Sequence, residues 1–216
     1  MSGTIITTVL SGAVRPFRDD EPSAIAKQPV QGPVRVTRMG LAGDEQADRV
    51  HHGGPDKAIH HYPHDHYAGW AAAIGDHPLL SAPGAFGENL SSTGLTEQGV
   101  CIGDRLRLGS ALVEVSQGRQ PCWKLDHRFG GLAINAAMVR ARNAGWYYRV
   151  IEDGAVGAGD ALALLDRPHP EWSVARVFGL LIAGDHKRDP DALGELARVA
   201  ALAEPWQRRL AALRGA

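Results

Sequence analysis

The alternation of apolar and polar positions predicts strands early in the chain. Thr4 to Leu10 (TIITTVL) is rich in β-branched residues and ends at Ser11 and Gly12, the pattern of a strand followed by a turn. Val34 to Met39 (VRVTRM) alternates over most of its length and runs into Gly40, Leu41, Ala42, Gly43 and Asp44, so a strand delivers the chain to a glycine-rich bend. Between them, Arg15 to Ser23 is polar and punctuated by proline, which predicts an exposed loop. Gly103 to Leu108 and Gly159 to Leu164 share the pattern Gly-Asp-x-Leu-x-Leu, each a turn feeding a strand with one buried face. Gly109 and Ser110 then fold the first of these into a hairpin with Leu112 to Val115. Trp146 to Ile151 again has strand composition.

Helical spacing is sparser. After Pro63, a good first-turn residue, His64 to Ile74 carries Tyr67, Trp70, Ala71 and Ile74 at three- and four-residue intervals. Gly131 to Asn143 (GLAINAAMVRARN) has the same periodicity. Strands and isolated helices interleave without a βαβ rhythm, which favours a mainly β fold, a β-barrel decorated by helices, over a doubly wound sheet. Composition shifts at Arg167, Pro168, His169 and Pro170, a natural linker. Beyond it Ser173 caps a helix to Ile182, Asp189 and Pro190 start another toward Leu202, and Glu204 and Pro205 open a third ending near Leu213. The expected organisation is a barrel domain over residues 1–166 and a small three-helix appendage over 167–216.

Composition narrows the functional classes. Lys plus Arg is 23 against 24 for Asp plus Glu, so the net charge of -1 gives no global pull toward nucleic acid or anionic membrane. No apolar run approaches the roughly 20 residues of a spanning helix. Met1 to Leu10 lacks the basic opening and long apolar core of a secretory signal, so a cytoplasmic protein is expected. The only cysteines, Cys101 and Cys122, exclude a disulfide framework, a four-cysteine zinc site and an all-cysteine iron-sulfur cluster within one chain.

Three segments carry candidate chemistry. Cys122 follows a predicted strand, with Arg119 and Lys124 close in sequence; such cations favour a thiolate, a soft ligand for transition metals. The alternative is a cysteine serving as a small buried hydrophobe, which is how Cys101, between Val100 and Ile102, reads. The glycine bend at Gly40 to Asp44 and the pair Gly53 and Gly54, flanked by His52 and Lys57, let backbone amides approach a phosphate or polar heterocycle. Gly84 to Leu90 puts Glu88 and Asn89 just past a flexible turn, where they read ring nitrogens or simply satisfy the turn. His51, His52, His60, His61, His64 and His66 cluster in sequence, but their spacing matches no helix-borne zinc motif, and His60 and His61 face opposite sides of any strand.

Together GLAGDEQ (40–46), HGGPDKAIHHYP (52–63), GAFGENLS (84–91), IGD (102–104), SQGRQPCWKL (116–125) and GWYYRV (145–150) resemble the MOSC domain, the molybdenum-cofactor-sulfurase C-terminal family, in its YiiM-like branch. One departure is Gly118, where the pattern usually has proline. The resemblance implies a β-barrel over residues 1–166 that binds molybdenum cofactor, with Cys122 as the molybdenum ligand. It implies that Lys27 and Thr37 meet the pterin phosphate, with Arg119 a further anion contact and His52, Gly53, Gly54 and Asn89 further cofactor contacts. The implied activity is reduction of N-hydroxylated compounds such as 6-hydroxylaminopurine. His52 and Glu88 are the expected proton donors. With two cysteines and no dinucleotide fingerprint the chain lacks its own electron entry, so a separate reductase, a flavoprotein by expectation, is the implied partner. The helical appendage is a candidate for homodimer packing. A persulfide carrier using Cys122, or a non-enzymatic cofactor-binding protein, are the competing readings.

Overall fold

The computed structural model describes residues 3–19, 21–48 and 53–215. The strands in chain order are β1 (Thr4–Ser11), β2 (Arg15–Arg18), β3 (Glu21–Ser23), β4 (Gln28–Pro29), β5 (Val34–Thr37), β6 (Gly40–Leu41), β7 (Ile59–Pro63), β8 (Leu90–Ser92), β9 (Arg105–Leu108), β10 (Ala111–Gly118), β11 (Trp146–Glu152), β12 (Gly154–Val156) and β13 (Ala161–Asp166). The helices are α1 (Asp65–Ile74), α2 (Trp123–Arg128), α3 (Ile134–Ala141), α4 (Val174–Leu181), α5 (Asp191–Leu196) and α6 (Glu204–Arg214).

The main sheet runs β13-β9-β10-β11-β7-β8-β1, and β1 pairs back onto β13, closing a seven-stranded barrel. Closure leaves these strands without a free edge. Every neighbour in the ring is antiparallel except β7 and β8, which run parallel. Such a pair needs a crossover, and the chain makes it through α1 and the loops around it. The expected hairpin is present, with Leu108 opposite Ala111 across Gly109 and Ser110. Gly109 has φ +54, and a Cβ there would lie 2.3 Å from the Ala155 carbonyl oxygen, so the turn requires glycine.

All five residues of β7 are buried. Alternation on this strand sends His61 and His60 to opposite sides. His61 is fully enclosed, its ring nitrogens meeting the Tyr148 hydroxyl at 3.1 Å and the Ser92 hydroxyl at 2.8 Å. Burial holds its pKa down at about 3, so the ring is neutral at physiological pH.

Three sequence expectations change. Arg15 to Ser23 is not a loop but the β2–β3 hairpin, pairing Arg15 with Ser23 and Pro16 with Pro22. A two-stranded ribbon is all edge, so its prolines remove no ladder bond from a central strand. The helix expected over Gly131 to Asn143 is the shorter α3, because Gly130 and Gly131 take positive φ and Arg142 is left-handed. The helix expected toward Leu202 stops at Leu196. The strands β7 and β8 and helix α2 are too short to show a period; β7 and α2 carry residues of the site, and Asn89 immediately precedes β8.

The segment after the linker seats directly on the barrel. Ser173 caps α4, accepting from the Arg176 amide at 3.2 Å, and bridges to Cys101. Phe178, Trp206 and Leu210 join one hydrophobic cluster with barrel residues such as Val113 and Tyr148. Gly118 lies at this seam. A Cβ there would come within 2.9 Å of Trp206 and 3.3 Å of Val174, so the small residue lets the helices close on the end of β10. No helix is long and apolar enough to cross a membrane among the described residues.

Candidate functional site

A cleft opens where the chain leaves β3, the 44–48 segment, β7, the 86–89 loop, the end of β10 and the start of β11. The register of β10 against β11 shifts between Val115 and Gln117, a bulge at the end of the strand that leads into Arg119 and Cys122. Ser116 pins this irregularity by donating to the Asp56 carbonyl at 2.6 Å and to the Tyr147 carbonyl at 3.1 Å. Cys122 is half-buried on the cleft wall, in extended backbone just before α2.

Two side chains of α2 fix that helix against the rest of the site. Arg128 donates to the Ala85 carbonyl at 2.9 Å and the Gly84 carbonyl at 3.2 Å. Lys124 donates to the Pro22 carbonyl at 3.2 Å and pairs with Glu21 at 3.2 Å, which ties the β2–β3 hairpin beside the cleft. Arg18 on the same hairpin lies over the Trp123 ring at 4.5 Å.

The cleft carries charge of both signs. Lys27, Lys57, Arg119 and Lys124 line it, as do Asp44, Glu45 and Asp48. The Lys27 ammonium sits 2.5 Å from both oxygens of Asp44, and Asp44 also accepts from the Gly12 amide at 2.8 Å and the Asn89 side-chain amide at 2.9 Å. Burial pulls the Lys27 ammonium below the ordinary lysine range, with Asp44 opposing that pull. Asn89 extends this frame to β7, accepting from the His60 amide at 3.0 Å. The His60 ring, 5.1 Å from that of Tyr147, is held well below the usual histidine range by burial and then by the Arg119 charge, so it is a neutral imidazole. Burial pushes the Tyr147 hydroxyl up, so it keeps its proton at neutral pH and stands as a donor beside Arg119.

Of the residues singled out from sequence, Cys122, Lys27, Asn89 and Arg119 meet in this one cleft. Gly53 and Gly54 lie before the tight 3-10 turn Pro55–Lys57, where Gly54 takes φ +95; Lys57, not the glycines, reaches the cleft wall. Thr37 is outside the cleft lining but lines a neighbouring depression that shares Asp44, Glu45 and Gln46 with the cleft, its hydroxyl donating to the Gly40 carbonyl at 2.9 Å. Glu88 is fully buried behind the 84–87 loop and accepts from the Tyr67 hydroxyl at 2.6 Å and the Gly84 and Phe86 amides at 2.6 and 3.1 Å. Its carboxylate shapes the loop and lies outside the cleft lining. His52 lies outside the described residues.

Asp44, His60 and Tyr147 line the cleft without having been singled out as site residues. Asp44, His60 and Tyr147 all lie within family motifs, and His60 carries a further signal, its position opposite His61 on a strand.

The comparisons with known proteins agree with this fold. The MOSC domain family model matches residues 48–163. Protein YiiM of Escherichia coli strain K12 is 41% identical over 202 residues, covering 94% of this chain and 89% of that protein. The chain belongs to the MOSC domain family, in its YiiM-like branch. The crystal structure of YiiM from Geobacillus stearothermophilus superposes with a TM-score of 0.81 at 31% identity, covering 98% of this chain and 99% of that one. A relative named Reductase, from Gibberella moniliformis, is 44% identical over 156 residues, 72% of this chain but only 28% of that longer protein. MOSC domains are associated with binding of the molybdenum cofactor, and the donor set here fits such a group. Among the described residues no three His, Cys, Asp or Glu side chains converge as a metal cage. Cys122 and the cations Lys27, Arg119 and Lys124 stand on one cleft wall, a set that would suit a cofactor carrying its own metal ligands and an anionic tail.

Proposed function

We propose that this MOSC protein is a molybdenum-cofactor-dependent reductase of N-hydroxylated compounds, 6-hydroxylaminopurine among them, supplied with electrons by a separate flavoprotein reductase. The observation that carries this reading is the half-buried Cys122 on a cleft wall shared with Lys27, Arg119 and Lys124. The name of the Gibberella relative supports the redox part.

Conversion of an N-hydroxyl group to an amine and water consumes two electrons and two protons. When bound, the cofactor supplies the two-electron, oxygen-accepting chemistry of that conversion. The chain contributes the rest. Cys122 offers the sulfur ligand, Lys27 and Arg119 hold the anionic tail, and Asp44 keeps Lys27 and Asn89 in fixed relation. Tyr147 holds a proton on its hydroxyl within the cleft. The neutral His60 imidazole leaves the charge around the ligand to Lys27 and Arg119.

Protein purified from a cofactor-competent host is expected to contain about one molybdenum per chain and to reduce 6-hydroxylaminopurine with a chemical electron donor. Cys122→Ala loses both. Metal and turnover intact in that variant overturn the reading, and bound molybdenum with no reduction leaves a cofactor-binding protein instead. The same half-buried sulfur on the cleft wall suits a persulfide carrier, for which a 32-dalton gain on Cys122, about one sulfur atom, after exposure to a cysteine desulfurase is the distinguishing result.

A further inference from the structure

Strands β2 and β3 form a sheet of their own, with no ladder to the barrel. The ribbon is stiff. Each strand carries a proline, the register shifts between Pro16 and Arg18, and Asp19 at the turn takes φ +45. Its two ends are held close together beside the cleft. Gly12 lies against the Ala24 carbonyl, where a Cβ would come within 2.4 Å, and the Gly12 and Val14 amides donate to the Asp44 and Glu45 carboxylates at 2.8 and 2.5 Å. Ser23, Ala24 and Ile25, at the exit of β3, then line the cleft.

Between those ends, side chains fasten the ribbon to α2. The half-buried Phe17 ring packs edge-on to His127 at 4.9 Å and lies 6.1 Å from Trp123, whose face the Arg18 guanidinium covers. On β3 the Glu21 carboxylate and the Pro22 carbonyl share the Lys124 ammonium. Trp123 and Lys124 open α2 directly after Cys122, so the fastening sits beside the thiol. Each of these contacts is weaker than core packing, and the Glu21 side of the ion pair is 50% exposed. The ends are tied instead by carboxylates bonded to backbone amides. A stiff ribbon with fixed ends and a weak side-chain latch moves as one unit about those ends.

We propose that β2 and β3 form a strap along the Cys122 side of the cleft, latched on α2 by Phe17, Arg18 and Glu21, which lifts about its Gly12 and Ala24 ends to admit large ligands to the thiol. The proposal concerns access to Cys122 and stands apart from the reductase reading.

Alkylation of Cys122 in the full-length protein by reagents of two sizes, followed by peptide mass spectrometry, tests it. Iodoacetamide passes the closed strap, whereas fluorescein maleimide waits for the strap to lift. Phe17→Ala removes the ring from the latch; it is expected to raise the fluorescein maleimide rate about fivefold and to leave the iodoacetamide rate within about twofold of the wild type. Adding Glu21→Gln raises the rate of the larger reagent about twofold more. Hydrogen exchange gives a second reading, in which amides of residues 15–23 exchange about fivefold faster in Phe17→Ala while those of β1 keep the wild-type rate. An unchanged fluorescein maleimide rate, an equal acceleration of both reagents, or faster exchange that extends into β1 overturns the proposal. If Phe17→Ala does not fold, Arg18→Gln combined with Glu21→Gln carries the same size-dependent expectation, and equal effects on the two reagents refute it. No molybdenum or electron donor enters the measurement, so its failure and that of the reductase reading are separate results.

Discussion

Cys101 sits where the C-terminal helices seat on the barrel, and Cys122 sits on the wall of the cleft; both have charged neighbours, arranged to opposite ends. Around Cys101 every charge is spent on architecture. Asp104, 1% exposed in its side chain, takes two bonds from Arg167 at 2.9 and 2.6 Å and one from the Cys101 amide at 2.9 Å. The Cys101 thiol meets only the Pro170 carbonyl at 3.5 Å, and burial, then the Asp104 carboxylate, push its pKa up. Around Cys122 the cations line a cavity instead of closing one. A charge in the first region only maintains the fold, and in the second it is also paired but lines a cavity.

That contrast can be broken by chemistry. Iodoacetamide is expected to alkylate Cys122 on the order of a thousandfold faster than Cys101 in the folded protein, because reaction at a buried thiol waits on opening that costs about 4 kcal/mol or more. Peptide mass spectrometry reading equal rates would erase the distinction. Asp104→Ala leaves Arg167 without its partner and the Cys101 amide without its acceptor, a loss of about 3 kcal/mol in urea unfolding, with the Cys122 labelling rate unchanged. Gly118→Ala probes the boundary between the two regions. A methyl group 2.9 Å from Trp206 should cost about 1 to 3 kcal/mol of stability.

A further effect is graded by pH and concerns β7, where His61 serves the barrel and His60 the cleft. The folded His61 takes a proton only near pH 3, against about 6.5 in the unfolded chain, so between those values the unfolded state binds more protons. Its contribution is complete above pH 6.5 and is lost as pH falls toward 3, at up to about 1.4 kcal/mol per pH unit. His60, also depressed, adds a slope of the same sign. His61→Gln is expected to flatten the pH dependence of unfolding in this window, and an unaltered slope would refute the assignment of the proton to His61.

How much was legible beforehand follows from range. The strands β1, β5, β9, β10, β11 and β13, helix α1 and the Ser173 cap all follow from local alternation and capping chemistry, which act within a few residues. The sequence by itself therefore determined the barrel class, the family, and four cleft residues, Cys122, Lys27, Asn89 and Arg119, carried by motif resemblance. Only the tertiary structure decided which neighbours each charge meets. Lys27 and Asp44 are brought together from separate segments, as are Asp56 and Arg149, and Glu88 is turned inward by Tyr67 and two loop amides. Proximity of this kind depends on how the barrel closes and on the bulge at the end of β10, and neither leaves a period in the chain.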